Sequence, residues 1–331
     1  MKYNKLFRFL LGMVSALFFI SLIVNKSGSV ELKIALSKIE VQWIAPALMA
    51  LLVGYAIRIE RWRLMLSVDN NNITWRNCAG PLLGSFAMNN ILPFRAGDFM
   101  RAFAFNKQLG VTPSGVLATL LVERLFDLLM VLLFLIAGLH YFVIEIGMLF
   151  DIGEFALILF AIAIITLLAI PRLLFQPSLF ICMFISKIAP RIAVRLRAIL
   201  EHIFSVLNHL AGSKMILTLL GWSSLAWLAE GCVFWFVAIS FPDLQNAAAA
   251  WLALPVGTLS TLIPSTPGYI GTFDFFTSET MQVLHNSAAG SIAFALLVHL
   301  TIWAPITIIG GFYLLLNSLA VKTISPKVAN E

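Results

Sequence analysis

Three ionisable residues stand together in an apolar stretch: Glu123, Arg124 and Asp127, in the run LVERLFD within residues 112–140. On a helix Glu123 and Asp127 are four apart and share a face, and Arg124 reaches Asp127 at three. Near the middle of a bilayer each such charge costs ~2.5–3.5 kcal/mol on insertion scales, so a cluster is kept only if it is paired or used. The chemistry open to it is binding of a charged group, proton exchange by the carboxylates, or an ion-pair network that locks helices together. A span beginning near residue 125 would instead leave the cluster at the cytoplasmic edge.

A second group is Arg95, Asp98 and Arg101, which follow the pair Asn89-Asn90 and Pro93. A guanidinium presents a planar fork of donors that fits phosphate oxygens. A broken helix also exposes backbone N–H groups that favour anions. Asn90, Arg95, Asp98 and Arg101 are therefore candidates for a phosphate-bearing lipid headgroup, although Arg101 alone would be explained by a positive charge flanking a span. A third group lies in STPGYIGTFDFF, where Asp274 is the acidic residue and Thr266, Gly268 and Gly271 would let backbone approach a ligand closely. Glu279, a little further on, reads as an ordinary solvated carboxylate.

Catalytic signatures are absent. There is no H-E-x-x-H, no GxxxxGK[ST], no G-x-S-x-G and no zinc spacing among the five histidines and three cysteines. No catalytic residue, metal or cofactor is expected, and the chain does not read as an enzyme. Cys78, Cys182 and Cys232 lie in apolar surroundings and read as small buried hydrophobes.

The elements that must position these residues are membrane helices. Hydrophobic residues make up 60% of 331 positions, charged residues only 11%, and the mean hydropathy is +0.96. So few charges cannot cover a water-exposed surface, so lipid must be the solvent for much of it. Apolar stretches fall near 9–24, 42–57, 78–92, 112–140, 155–170, 215–240, 247–263 and 288–318. The bilayer core demands that each satisfy its own backbone as a helix. The expected fold is all-α: a polytopic membrane protein with about six full spans and two broken or re-entrant segments. Lys2, Lys5 and Arg8 before the run 9–24 resemble a signal peptide, but no A-x-A site follows, so an uncleaved first helix is expected. Residues 110–114 (GVTPS) read as the start of a helix, with Pro113 near its first turn.

The broken segments are 77–105 and 246–284, marked by Pro81, Pro93 and Gly97 in the first and by Pro255, Pro264, Pro267 and Gly268 in the second. They share a P-x-x-x-G spacing, and Gly115 to Val122 then matches Gly290 to Leu297 in size and polarity. In that alignment His299 falls opposite Arg124. A net charge of +6, spread over basic loops, predicts both termini on the cytoplasmic side of a cell membrane, in keeping with a bacterial cytoplasmic membrane. This topology places the two units in inverted orientation, the pattern of a transport site near the midplane. The whole is expected to be one membrane domain: 1–170 and 215–320 as halves, joined by a cytoplasmic amphipathic connector, 171–214, lying on the anionic leaflet. Nothing in the charge pattern suggests nucleic acid.

The runs NNILPFRAGDFMRAF, LLVERLFDLL and PSTPGYIGTFDFF resemble the lysylphosphatidylglycerol synthase transmembrane region family, over roughly residues 9–318. The resemblance implies a flippase-like domain that moves an anionic or aminoacylated lipid between leaflets, in some relatives beside enzymes that build lipid-linked sugars. It places Asn90, Pro93, Arg95, Gly97, Asp98 and Arg101 on the family's first motif. Glu123, Arg124 and Asp127 fall on its second, and Pro264, Pro267, Gly268, Gly271 and Asp274 on its third. A chain ending at Glu331 is expected to lack the soluble aminoacyl-transferring domain of the larger synthases, so lysyl transfer is not expected. The readings that follow are a translocase for an anionic phospholipid or lipid-linked glycan, an intramembrane lipid transferase using Glu123 and Asp127, and a non-transporting partner of a lipid-modifying enzyme or glycosyltransferase.

Overall fold

A computed structural model describes residues 19, 21, 29–92, 95–142, 148–170, 172–210, 213–263 and 267–324. Most of the expected span 9–24, and with it Pro93, Pro264 and the candidate Thr266, lie outside the described residues.

The described chain is helical throughout. The helices are α1 (Ser29–Ser37), α2 (Ile44–Leu66), α3 (Trp75–Ile91), α4 (Ala96–Phe103), α5 (Asn106–Leu109), α6 (Pro113–Tyr141), α7 (Met148–Ala169), α8 (Arg172–Ile188), α9 (Pro190–Leu210), α10 (Ser213–Ile239), α11 (Ala250–Ser260), α12 (Thr272–Val283) and α13 (Ala288–Ile324). Among the described residues, Val41–Leu66, Lys214–Ile239 and Ala288–Asn317 are long and apolar enough to cross a membrane. Large apolar side chains stand exposed along the last of these, among them Leu300, Ile308, Phe312 and Leu315. Such a surface needs hydrocarbon, not water, against it. The protein is a helical membrane protein.

The chain forms two compact units. One comprises Met1–Val53, Ala79–Arg101 and Ala229–Glu331; the other comprises Gly54–Cys78 and Ala102–Leu228.

In the first unit, α11 packs on α12, and α12 and α1 pack on α13. Phe234 meets Phe273 and Phe294 edge-on, joining the end of α10 to α12 and α13. Asn286 ties the turn after α12 to the chain before α11. Its Nδ2 donates to the carbonyls of Asn246 (3.0 Å) and Met281 (3.1 Å), and its Oδ1 accepts the Asn246 N–H (2.9 Å). These bonds satisfy backbone groups that no helix reaches, which a buried turn requires.

In the second unit, α6 carries the core. Its first turn is made by Thr112, whose hydroxyl accepts the Gly115 N–H (3.1 Å), and by Pro113 in the first helical position. Both α7 and α9 pack on α6, and α8 packs on α9. Phe175 and Phe204 meet with tilted rings across the α8–α9 hairpin, centroids 5.1 Å apart. The connector therefore comprises two helices, with Phe180, Phe184, Ile188 and Val194 exposed.

The prolines do not all break helices. Pro81, Pro177, Pro255 and Pro305 lie inside helices. In each broken segment the helix ends later, at Ile91 in the first and at Ser260 in the second. A helix can absorb one missing donor as a kink, so a proline alone does not end it.

Candidate functional site

Among the described residues, each unit holds a polar constellation in largely apolar surroundings.

In the second unit the centre is Asp127 on α6. Arg61, from the Gly54–Leu66 part of α2, is 1% exposed and donates from Nη1 to Asp127 Oδ1 at 2.9 Å. The same Nη1 donates to the Ser223 hydroxyl of α10 at 2.9 Å. Trp227 Nε1 donates to Asp127 Oδ1 at 3.3 Å. Arg124 stands on the other side, with Nη1 3.6 Å from Asp127 Oδ2 and Nη2 3.9 Å from Glu123 Oε1. Glu123 is buried, while 28% of the Arg124 side chain remains exposed. Beneath them Trp62 Nε1 donates to the Thr119 hydroxyl at 3.2 Å. Helices α2, α6 and α10 thus converge on two guanidiniums and two carboxylates. A charge set of this kind is tolerable in an apolar interior because each member lies beside an opposite charge.

Arg61 is the residue that the sequence reading misses, since it sits in the basic run RIERWR and reads there as a flanking positive charge. A signal was present: residues 112–140 carry two carboxylates against one arginine. That imbalance calls for a cation from another helix.

The first unit brings the two broken segments together. In the first, Asn89 Nδ2 donates to Asp98 Oδ1 at 2.9 Å, and Asn89 Oδ1 accepts the Asp98 N–H at 3.3 Å. Arg95 has φ 52°, in the left-handed region, and its Nε lies 3.5 Å from Asp98 Oδ2 with 42% of the side chain exposed. Strained backbone of this sort clusters at functional sites. Arg101 is fully buried, which a solvated flanking charge would not be. Asn90 Nδ2 donates to the Thr307 hydroxyl (2.8 Å) and to the Trp303 carbonyl (3.4 Å), fastening the end of α3 to α13.

In the second segment Gly268 has φ 71° and is so close to the first that a Cβ there would lie 3.3 Å from the Asn90 carbonyl and 2.8 Å from Trp303 Nε1. Asp274 is buried and caps α12: its Oδ2 accepts the Gly271 N–H at 2.8 Å. His299 of α13 bridges this turn, with Nδ1 2.7 Å from Asp274 Oδ1 and Nε2 2.9 Å from the Gly268 carbonyl. Of the candidates, Asn90, Arg95, Asp98, Arg101, Gly268, Gly271 and Asp274 thus gather in one unit, and Glu123, Arg124 and Asp127 in the other. His299 enters as their partner on contact alone, its signal in the sequence being only its position opposite Arg124. Glu279 occupies the exposed-to-buried boundary of α12 and takes a hydrogen bond from Gln282 (3.3 Å).

The family model for the lysylphosphatidylglycerol synthase TM region matches residues 7–310. A curated protein of Haloferax volcanii named glycosyltransferase AglD is 25% identical over 307 residues, a match covering 81% of this chain and 47% of that protein. The chain thus spans about half the length of this relative. No solved structure matches.

Proposed function

The chain belongs to the lysylphosphatidylglycerol synthase TM region family, and from that premise we propose that it moves an anionic phospholipid or a lipid-linked glycan between the leaflets of a cell membrane. The observation that carries this reading is the meeting of two broken helical segments, at Asn90 and Gly268, within one unit. Paired discontinuous helices leave backbone dipoles and polar side chains at membrane depth, where they receive the charged part of a substrate. In this reading the segments are inverted repeats, one dipping from the cytoplasm and the other from outside, with both termini cytoplasmic. Arg95 in the first unit and Arg124 in the second are each, separately, a cation able to receive a phosphate, since both keep part of their side chains exposed. When no phosphate is bound, Asp98 balances Arg95 in the first unit, and Glu123 and Asp127 balance Arg124 in the second.

Mass spectrometry of lipids retained by gently purified protein tests the assignment. A phosphate-bearing lipid is expected to be enriched over bulk membrane in the wild type. The enrichment should fall by at least about tenfold in Arg95→Ala and in Arg124→Ala, the loss of one charge-assisted contact of roughly 1.5–3 kcal/mol. Equal retention in either folded variant would remove that arginine from lipid binding.

The resemblance to glycosyltransferase AglD supports a second reading, in which the chain is a non-transporting membrane partner of a lipid-modifying enzyme or glycosyltransferase. Substituting the intramembrane charges would then reduce complex formation without altering lipid asymmetry.

A further inference from the structure

His299 touches an oxygen with each ring nitrogen, and the two contacts together count protons. The Gly268 carbonyl can only accept, so Nε2, 2.9 Å away, carries a hydrogen. Asp274 already accepts the Gly271 N–H through Oδ2, leaving Oδ1 to face Nδ1 at 2.7 Å. If the carboxylate were ionised and the imidazole neutral, two lone pairs would oppose each other at that distance. The contact therefore requires one more proton, either on Nδ1 as imidazolium beside carboxylate or on Oδ1 as carboxylic acid beside neutral imidazole. Flipping the ring would replace both nitrogens by carbon and lose both contacts.

We infer that His299 and Asp274 form a proton-binding site whose single shared proton holds the turn 268–274 against α13. The site is enclosed: the His299 and Asp274 side chains are 12% and 4% exposed, and the Phe273 ring meets the imidazole edge-on at 4.9 Å. The turn it holds is the one that meets the first broken segment at Asn90, and it has left-handed backbone at Gly268, Tyr269 and Gly271. Loss of the proton leaves the ring one hydrogen for two acceptors: the carboxylate keeps it on Nδ1, Nε2 then faces the Gly268 carbonyl lone pair to lone pair, and that contact parts and frees the turn from α13. Charged groups on the elements packed around α13 are Asp274 and Glu279 on α12, Glu31 and Lys33 on α1, Glu230 on α10, and Arg95 and Asp98 beside α3. Asp274 is the one in hydrogen-bond contact with the imidazole. The inference deepens the translocase reading, and rests on it only for the step that makes lipid movement respond to protons.

The test reads the proton site without reading transport. Hydrogen exchange is followed by mass spectrometry on peptides covering 268–276, from about pH 5 to about pH 8, with the intrinsic pH dependence of exchange removed. Wild-type protection of these amides should fall by about tenfold as pH rises, the loss of one hydrogen bond's worth of closure. In Asp274→Asn the amide can donate to neutral Nδ1 while its oxygen still accepts the Gly271 N–H, so protection should stay high and flat. In His299→Ala it should be low at every pH, with amides of α10 and α13 reporting that the protein is folded. A flat wild-type profile, or an Asp274→Asn profile that falls like the wild type, would overturn the proton site. Translocation in proteoliposomes at the two ends of the range is the second arm. Transport that ignores pH in a protein whose turn responds would overturn the coupling alone. No transport at either pH would overturn the translocase reading and leave the proton site standing.

Discussion

Replacing Arg61 by alanine is expected to destabilise the protein by about 3 kcal/mol or more, the usual consequence of removing one partner of a buried ion pair. The guanidinium is almost completely buried and its Nη1 joins Asp127 and Ser223. Without it, Asp127 keeps Arg124 at 3.6 Å and the Trp227 N–H at 3.3 Å, but loses its 2.9 Å contact. Glu123 and Asp127 are then left in an apolar helix with one buried cation fewer, where uncompensated charge is expensive. The expected result comes from equilibrium unfolding of detergent-solubilised Arg61→Ala, Asp127→Ala and the double variant. The double variant should be more stable than the sum of the singles predicts by about 1 kcal/mol or more, because the second substitution removes the charge stranded by the first. Additive losses would mean that the pair is not a unit.

Gly97→Ala is the second large effect. A Cβ at this position would lie 1.9 Å from the Ser85 carbonyl oxygen and 2.8 Å from Asn89 Oδ1. Neither atom can yield cheaply: one is helix backbone and the other holds the Asp98 N–H. The start of α4 must therefore move off α3, breaking the Asn89–Asp98 bonds and shifting Arg95 with them. Overpacking of this kind costs about 3 kcal/mol. The variant is expected to lose that much stability and to lose lipid retention even when folded at low temperature. Gly311→Ala is the control, since nothing lies within 4 Å of a Cβ there. On helix propensity alone it should be neutral or stabilising by about 0.5–1 kcal/mol. Equal behaviour of the two variants in thermal unfolding would contradict the close approach.

These two cases also mark what could be read in the residues and what could not. Local chemistry was legible. Thr112 and Pro113 announce the start of α6, because a hydroxyl cap and a proline at the first helical position act within one turn. The two broken segments were legible from clustered proline and glycine, though not the points of rupture: Pro81 and Pro255 are carried inside helices. A proline states that a donor is missing, while the neighbouring packing decides whether the helix bends or ends. The spacing of Arg124 and Asp127 was enough to place them side by side. Contacts between distant elements were not legible in this way. Arg61 reaches Asp127 across 66 positions, and His299 reaches Gly268 across 31. No periodicity carries such information; only a charge imbalance along α6 and a weak internal likeness hinted at them. The connector shows the same limit. Its amphipathic pattern describes a face, but the break at Ala189-Pro190 and the packing of α9 on α6 turn it into a hairpin.

The central claim, that the chain carries a phosphate-bearing lipid across the bilayer, is tested most directly by translocation in proteoliposomes. The purified protein is reconstituted with a trace of fluorescent anionic phospholipid, and the inner-leaflet label that becomes accessible to a membrane-impermeant quencher is followed with time. The account predicts that wild type exposes label at a rate well above protein-free vesicles. It predicts that Arg124→Ala, folded and reconstituted to the same density, returns that rate to the protein-free level. Wild-type vesicles that expose no more label than empty ones would contradict it for this lipid class, and an Arg124→Ala rate equal to wild type would contradict the site.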